Sequence, residues 1–235
     1  MEMLTLFRGI SVPKNKAEEI KEKIITKGIM GNEGFWQLSL NDLRWKISKL
    51  FKKPDLNTKD TRTPDDFPVI CAADELGAYY YALVHNRHKD KNEIGLIISF
   101  KAPINNIYVD GRDFLYTCFQ LWDKYTTKNY AKQLNLLMKI YGNAIKKYFE
   151  KASKSEIIDY RIAMCDLATQ DINVVKSHHK NTIVIGGRCR TIFKSAFLVK
   201  APIPPNDILN VDIVETSPYS FIPEITLHEF LKGKI

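Results

Sequence analysis

An arginine lies inside the first apolar run of this chain, Leu4-Thr5-Leu6-Phe7-Arg8-Gly9-Ile10-Ser11, and it constrains what can be built around it. Five of the first seven residues are Met, Leu or Phe, and Pro13 closes the run. A short run of that kind reads as a buried strand, although periodicity alone does not exclude helix. A guanidinium buried there without a partner costs several kcal/mol. Arg8 must therefore meet either a carboxylate of its own chain or a ligand phosphate, which arginine grips in bidentate fashion.

The chain has 235 residues and is 45% hydrophobic, enough to bury a sizeable core in one largish domain or two small ones. Its net charge of +8 favours an anionic partner, a nucleotide or a nucleic acid. Cys71, Cys118, Cys165 and Cys189 are far apart and form no Cys-x-x-Cys pair, so neither a metal site nor a disulfide framework is expected. Reduced thiols suit the cytoplasm. No apolar run approaches the ~18 residues of a membrane span, and the N-terminus has no signal-peptide pattern. A cytoplasmic protein without a membrane partner is expected.

Along the chain, Asn15-Lys16-Ala17-Glu18 has the form of a capping box, and Ile20, Ile24 and Ile25 predict a helix ending at Gly28. Residues 31–68 are polar and broken, with one predicted helix over 41–51 and an exposed loop over 55–66. Residues 67–73 read as a second buried strand. Asp74 is the expected N-cap of a helix carrying Leu76, Tyr79, Tyr80 and Leu83. Strands are predicted over 94–100 and 104–110.

Residues 113–180 read as helical. In 124–151 a helical wheel gathers Tyr130, Leu134, Leu137, Tyr141, Ile145 and Tyr148 on one side and Lys124, Lys128, Lys132, Lys139 and Lys146 on the other. Such a lysine stripe is usually a solvated face, but with few acids among the lysines it can also contact nucleic acid. Ser153-Lys154-Ser155-Glu156 has the form of another capping box, and His178-His179 reads as exposed loop. The last fifth returns to strand character over 182–185, 191–200, 208–214 and 225–231. Gly186-Gly187 is expected to form a turn between antiparallel strands and not a phosphate loop, because no G-x-G-x-x-G follows and no helix opens there. The expectation is a single α+β domain over 1–235, with a mixed, mostly antiparallel sheet and a large helical insertion at about 113–180.

Three segments together resemble the ADP-ribosyltransferase family, in the branch whose triad is arginine, a Ser-Thr-Ser strand and glutamate. They are Phe7-Arg8-Gly9-Ile10, followed by a helix and Lys27-Gly28-Ile29; Val69-Ile70-Cys71-Ala72-Ala73-Asp74 leading into Ala78-Tyr79-Tyr80-Tyr81-Ala82; and residues 215–227, which resemble a toxin-type acceptor loop ending in Glu224. The likeness covers roughly 3–110 and 182–231 and leaves the helical block aside. It departs from the family at Cys71-Ala72-Ala73, which replace Ser-Thr-Ser, and at Ile222, where arginine-modifying members carry a glutamate; arginine is therefore not the expected acceptor.

The resemblance implies a split, mostly antiparallel core and NAD as substrate. Cleaving the nicotinamide bond develops an oxocarbenium ion, a transition state also met in glycoside hydrolysis. Glu224 would hold the ribose 2′-hydroxyl and offset that charge, worth ~3 to 4 kcal/mol in comparable preorganised sites. Arg8 would hold the pyrophosphate, and Gly9 would let its backbone approach the nicotinamide amide. Cys71, Ala72, Tyr79 and Tyr80 would complete the cofactor site, with one or two of Tyr79, Tyr80 and Tyr81 facing the nicotinamide. Tyr219 and Phe221 would meet the acceptor.

Exposed rings near a basic surface stack nucleobases, so RNA or DNA is the first expected acceptor and a protein the second. Similar intracellular members act as toxins in toxin–antitoxin or phage-defence systems, so an antitoxin protein is a possible partner. Hydrolysis of NAD, or nucleic-acid binding through the lysine stripe without catalysis, are the alternatives. Taken singly, Glu224 reads as a strand-end surface carboxylate that Glu215 or Glu229 could be mistaken for, and Asp110-Gly111-Arg112-Asp113 reads as a turn with Arg112 and Asp113 paired on the surface, with a role toward the substrate as the alternative.

Overall fold

The computed structural model describes residues 1–30, 38–39, 68–85, 92–125, 129–188 and 190–233. The predicted helix at 41–51, the loop at 55–66, Phe67, Lys128 and Cys189 lie outside them, as do the surroundings of the Lys124 side chain.

The first strand, β1 (Met3–Pro13), is the spine of the fold. After a 3-10 turn at Lys14–Lys16, α1 (Ala17–Lys27) stops at Gly28 as the spacing predicts. The Asn15 capping box does not form; Lys16 is the N-cap and makes no side-chain bond. There follow β2 (Leu38–Ser39), β3 (Pro68–Ala73) and α2 (Glu75–Tyr80), which runs on into a wide π turn, Tyr81–His85. Next come β4 (Glu93–Pro103) and β5 (Ile107–Val109), separated by a 3-10 turn.

The middle of the chain is helical: α3 (Leu115–Tyr125), α4 (Tyr130–Tyr141), α5 (Ile145–Ser153), α6 (Ile158–Gln170) and α7 (Ile172–His179). The last part holds β6 (Ile185–Gly186), β7 (Ile192–Phe193), β8 (Ala196–Lys200), β9 (Ile208–Val214), β10 (Ile225–Thr226) and α8 (Leu227–Lys232).

The architecture is α+β. The larger sheet runs β5-β8-β3-β1-β4-β9 with β2 beside β3, and every pairing in it is antiparallel. A smaller sheet, β10-β6-β7, joins β10 to β6 in parallel and β6 to β7 antiparallel. The Gly186-Gly187 turn thus links antiparallel strands as expected.

Four further local expectations fail, each for an identifiable reason. The single helix over 124–151 is two, because Gly142 takes φ +79° and closes α4 with its N–H on the Met138 carbonyl. The apolar face read across that break is nevertheless right, with Leu134, Leu137, Tyr141, Ile145 and Tyr148 all buried. The Ser153 box is absent, since α5 runs through Ser153 and α6 starts only at Ile158. The strand over 225–231 ends at Thr226, where a Thr226/Glu229 capping box starts α8. His178 belongs to a helix in the core and not to an exposed loop.

Candidate active site

β1 pairs with β4 along its whole length, but with β3 only through Phe7 and Ala73. The larger sheet therefore opens beside Arg8. Here β1 is packed on both faces. Gly9 lies against α2 so closely that a Cβ there would stand 1.8 Å from the Ala78 carbonyl oxygen. On the other side, Leu6 and Val12 are locked in the main core.

Arg8 reaches across the opening and donates from Nη1 to the Cys71 carbonyl at 2.8 Å. It takes up a main-chain acceptor on the edge of β3 that faces β1. The side chain is half-buried and largely desolvated, which lowers its pKa from the usual arginine value; a weak attraction to Cys71 opposes this. Among the described residues no carboxylate pairs with Arg8. Of the two partners that the sequence allows, the intramolecular one is missing from that set.

Cys71 is also approached from the far side. Arg112 donates from Nη2 to the Cys71 Sγ at 3.2 Å, while its Nε and Nη2 grip the two carboxylate oxygens of Asp110 at 2.8 and 2.5 Å. Arg112 therefore pairs with Asp110, not with Asp113 at the surface. Burial alone would lower the Arg112 pKa, but the bonds and charge of Asp110 outweigh it and raise it. Burial, then Asp110, push the Cys71 thiol up, so it sits beside two guanidiniums as a thiol. Ala72 points the other way, into the main core.

Asp74 caps α2, accepting from Gly77, and also accepts from the backbone N–H groups of Lys194 and Ser195 at 2.7 and 2.9 Å. It fixes the tyrosine run against the turn between β7 and β8. Tyr81 donates to Asp113 at 3.4 Å, and burial followed by Asp113 raises its pKa. The other two tyrosines meet the loop after β9: Tyr79 packs edge-on to Tyr219 with ring centroids 5.5 Å apart, and Tyr80 to Phe221 at 5.2 Å. Expected cofactor-side and acceptor-side rings thus pack on one another. Burial and Glu75 push the Tyr219 hydroxyl up to about 12.

Glu224 is exposed at the entry to β10. Its Oε1 accepts from the Val184 N–H at 3.0 Å while its own N–H donates to the Val184 carbonyl at 2.9 Å, so the carboxylate is oriented by the backbone before β6. Among the described residues its Oε2 has no hydrogen-bond partner. The two carboxylates that could be confused with it are engaged elsewhere, Glu229 in the α8 capping box and Glu215 with Lys14 at 2.6 Å.

Contacts lead from Arg8 through Cys71 and Arg112 to Asp110. Further along the same turn, the Asp113 carbonyl accepts from the Arg188 N–H at 2.7 Å, beside β6 and β10. Sequence reading names Tyr81 and the Asp110-Gly111-Arg112-Asp113 turn but misses the pairing of Arg112 with Asp110 and its bond to Cys71. Among the described residues no three His, Cys, Asp or Glu side chains are grouped to hold a metal, and no helix is long and apolar enough to cross a membrane. No protein-family model, curated protein or solved structure matches this chain.

Proposed function

We propose that the protein is a mono-ADP-ribosyltransferase that cleaves NAD at the nicotinamide–ribose bond and transfers ADP-ribose to a nucleic acid. The observation that carries the reading is Arg8: a desolvated guanidinium in the opening between β1 and β3, with a carbonyl but no carboxylate beside it among the described residues. A charge in that setting is best compensated by an anion from outside, and a pyrophosphate suits a guanidinium fork.

In this reaction the C1′–N bond breaks and its electron pair stays on the nicotinamide nitrogen, which becomes neutral. A lone pair of the acceptor then forms the new bond at C1′, and the acceptor loses a proton. Glu224 supports the charge that develops between these events; its Oε1 is held by the Val184 N–H, which leaves Oε2 for the ribose. The Cys71 thiol stands where the family has a serine hydroxyl. Tyr79 and Tyr80 tie the nicotinamide side to the acceptor loop through Tyr219 and Phe221. The net charge of +8 suits a polyanionic acceptor, and a toxin role controlled by an antitoxin would suit an enzyme acting on cellular nucleic acid.

The test is incubation with adenine-labelled NAD and separated RNA, DNA and protein fractions. Label retained on nucleic acid is the expected result. Free labelled ADP-ribose alone would mean hydrolysis, and label on protein would reassign the acceptor.

A further inference from the structure

The turn between β6 and β7 carries two exposed arginines, Arg188 and Arg190. Neither has an ion-pair partner among the described residues. Arg190 adopts φ +59°, the only positive φ outside glycine among the described residues. Glycine or asparagine would relax that position, so the local strain is carried by a cationic side chain.

The turn is also fastened at three points. The Arg188 N–H donates to the Asp113 carbonyl at 2.7 Å, Gly187 to the Thr191 carbonyl at 2.8 Å, and the Tyr80 hydroxyl to the Arg190 carbonyl at 2.5 Å. Tyr80 in turn packs on Phe221, which is partly solvent-accessible and three residues before Glu224. Two exposed arginines, without an ion-pair partner among the described residues, therefore sit on a turn whose backbone is tied through Tyr80 to the accessible Phe221 ring.

Resting on the transferase reading for the setting of the site, we infer that Arg188 and Arg190 bind consecutive phosphates of a single-stranded nucleic acid whose base stacks on Phe221, which docks the acceptor next to Glu224. Guanidiniums match phosphate geometry, and a flexible strand can present both a phosphate and an unstacked base to such a rim, which a duplex cannot.

The test compares wild type with the Arg188→Gln/Arg190→Asn double variant, asparagine being chosen because it tolerates the left-handed backbone. Binding of oligo(U), oligo(dT) and a duplex of equal length is read by fluorescence anisotropy over a salt series, with nicotinamide release from NAD measured on the same samples. The expected result is single-strand binding by wild type, weakened about tenfold or more in the variant, with a salt slope smaller by about 1.4 for two lost contacts. Arg190→Lys should restore part of the affinity. The choice between oligo(U) and oligo(dT) identifies the strand as RNA or DNA.

Unchanged binding in the double variant, preference for duplex, or no binding by wild type would overturn the inference. Absence of nicotinamide release from wild type, with the binding difference intact, would instead remove the transferase reading and leave the docking surface standing.

Discussion

The Arg8 guanidinium donates to the Cys71 carbonyl at 2.8 Å across the place where β1 and β3 part company. Among the described residues no carboxylate stands opposite it. A structural pair would have a carboxylate opposite, and breaking a buried pair typically costs about 3 to 5 kcal/mol. Arg8→Met should instead leave chemical-denaturation stability within about 1 kcal/mol of wild type, because removing the desolvated charge offsets the lost hydrogen bond. If NAD is the substrate as proposed, it should raise the melting temperature of wild type and not that of this variant. A loss of several kcal/mol would assign Arg8 to the scaffold.

Gly9 has a packing role in the structure in addition to the one the resemblance implies. A methyl group there would collide with the Ala78 carbonyl, a backbone group that cannot swing aside as the end of a side chain could. Gly9→Ala should therefore destabilise the protein by about 3 kcal/mol or more, as overpacking does at its worst, and lower soluble yield. A stable Gly9→Ala protein defective only in NAD binding would restore a direct role toward the nicotinamide.

His178 makes the fold sensitive to mild acid. Its ring stacks on Tyr141 with centroids 4.4 Å apart, accepts from the Ala196 N–H through Nε2, and faces the Ile140 carbonyl with Nδ1. These contacts define a neutral imidazole, and burial lowers its pKa from 6.5 to about 3. The unfolded chain takes up this proton near its ordinary value while the folded chain refuses it. Stability from His178 is therefore complete above about pH 6.5 and is lost progressively as pH falls toward 3. Between pH 6.5 and 5 the loss should be roughly 2 kcal/mol by urea unfolding, and it should flatten in His178→Gln, which keeps an acceptor but does not titrate in that range. An equal slope in both proteins would contradict the assignment.

At the other end of the chain, Thr226 and Glu229 exchange hydrogen bonds, with the Thr226 N–H on Glu229 Oε2 at 2.8 Å and the Glu229 N–H on Thr226 Oγ1 at 3.2 Å. Thr226→Ala should cost about 0.5 to 2 kcal/mol, as lost caps do. Glu229→Gln should leave nicotinamide release nearly unchanged. A large loss of release in Glu229→Gln would move the catalytic carboxylate from Glu224 to Glu229.

Much of the framework was legible because strand and helix periodicities were backed by punctuation. The strand at Leu4–Ser11, the Asp74 cap, the stop at Gly28 and the strand at Ile208–Val214 each combine a pattern with a residue that enforces it. Local signals misled where two of them competed. Asn15 and Ser153 carry box-like spacing but lie in segments already taken by a 3-10 turn and by the end of α5, whereas the genuine box at Thr226 was hidden within an apolar run that also suits a strand. At the candidate site, Arg8 stood out as a charge in an apolar strand. The Arg112–Asp110 grip on Cys71 did not, because it depends on β5 being brought alongside β8 and β3, which no local pattern encodes.

The most direct measurement is nicotinamide release from NAD by purified wild type and Glu224→Gln, with circular dichroism confirming that both are folded. Wild type should release nicotinamide, and the variant about a hundredfold or more slowly, the scale of losing one preorganised electrostatic contact to the transition state. Release by folded Glu224→Gln at the wild-type rate would contradict the proposed role of Glu224.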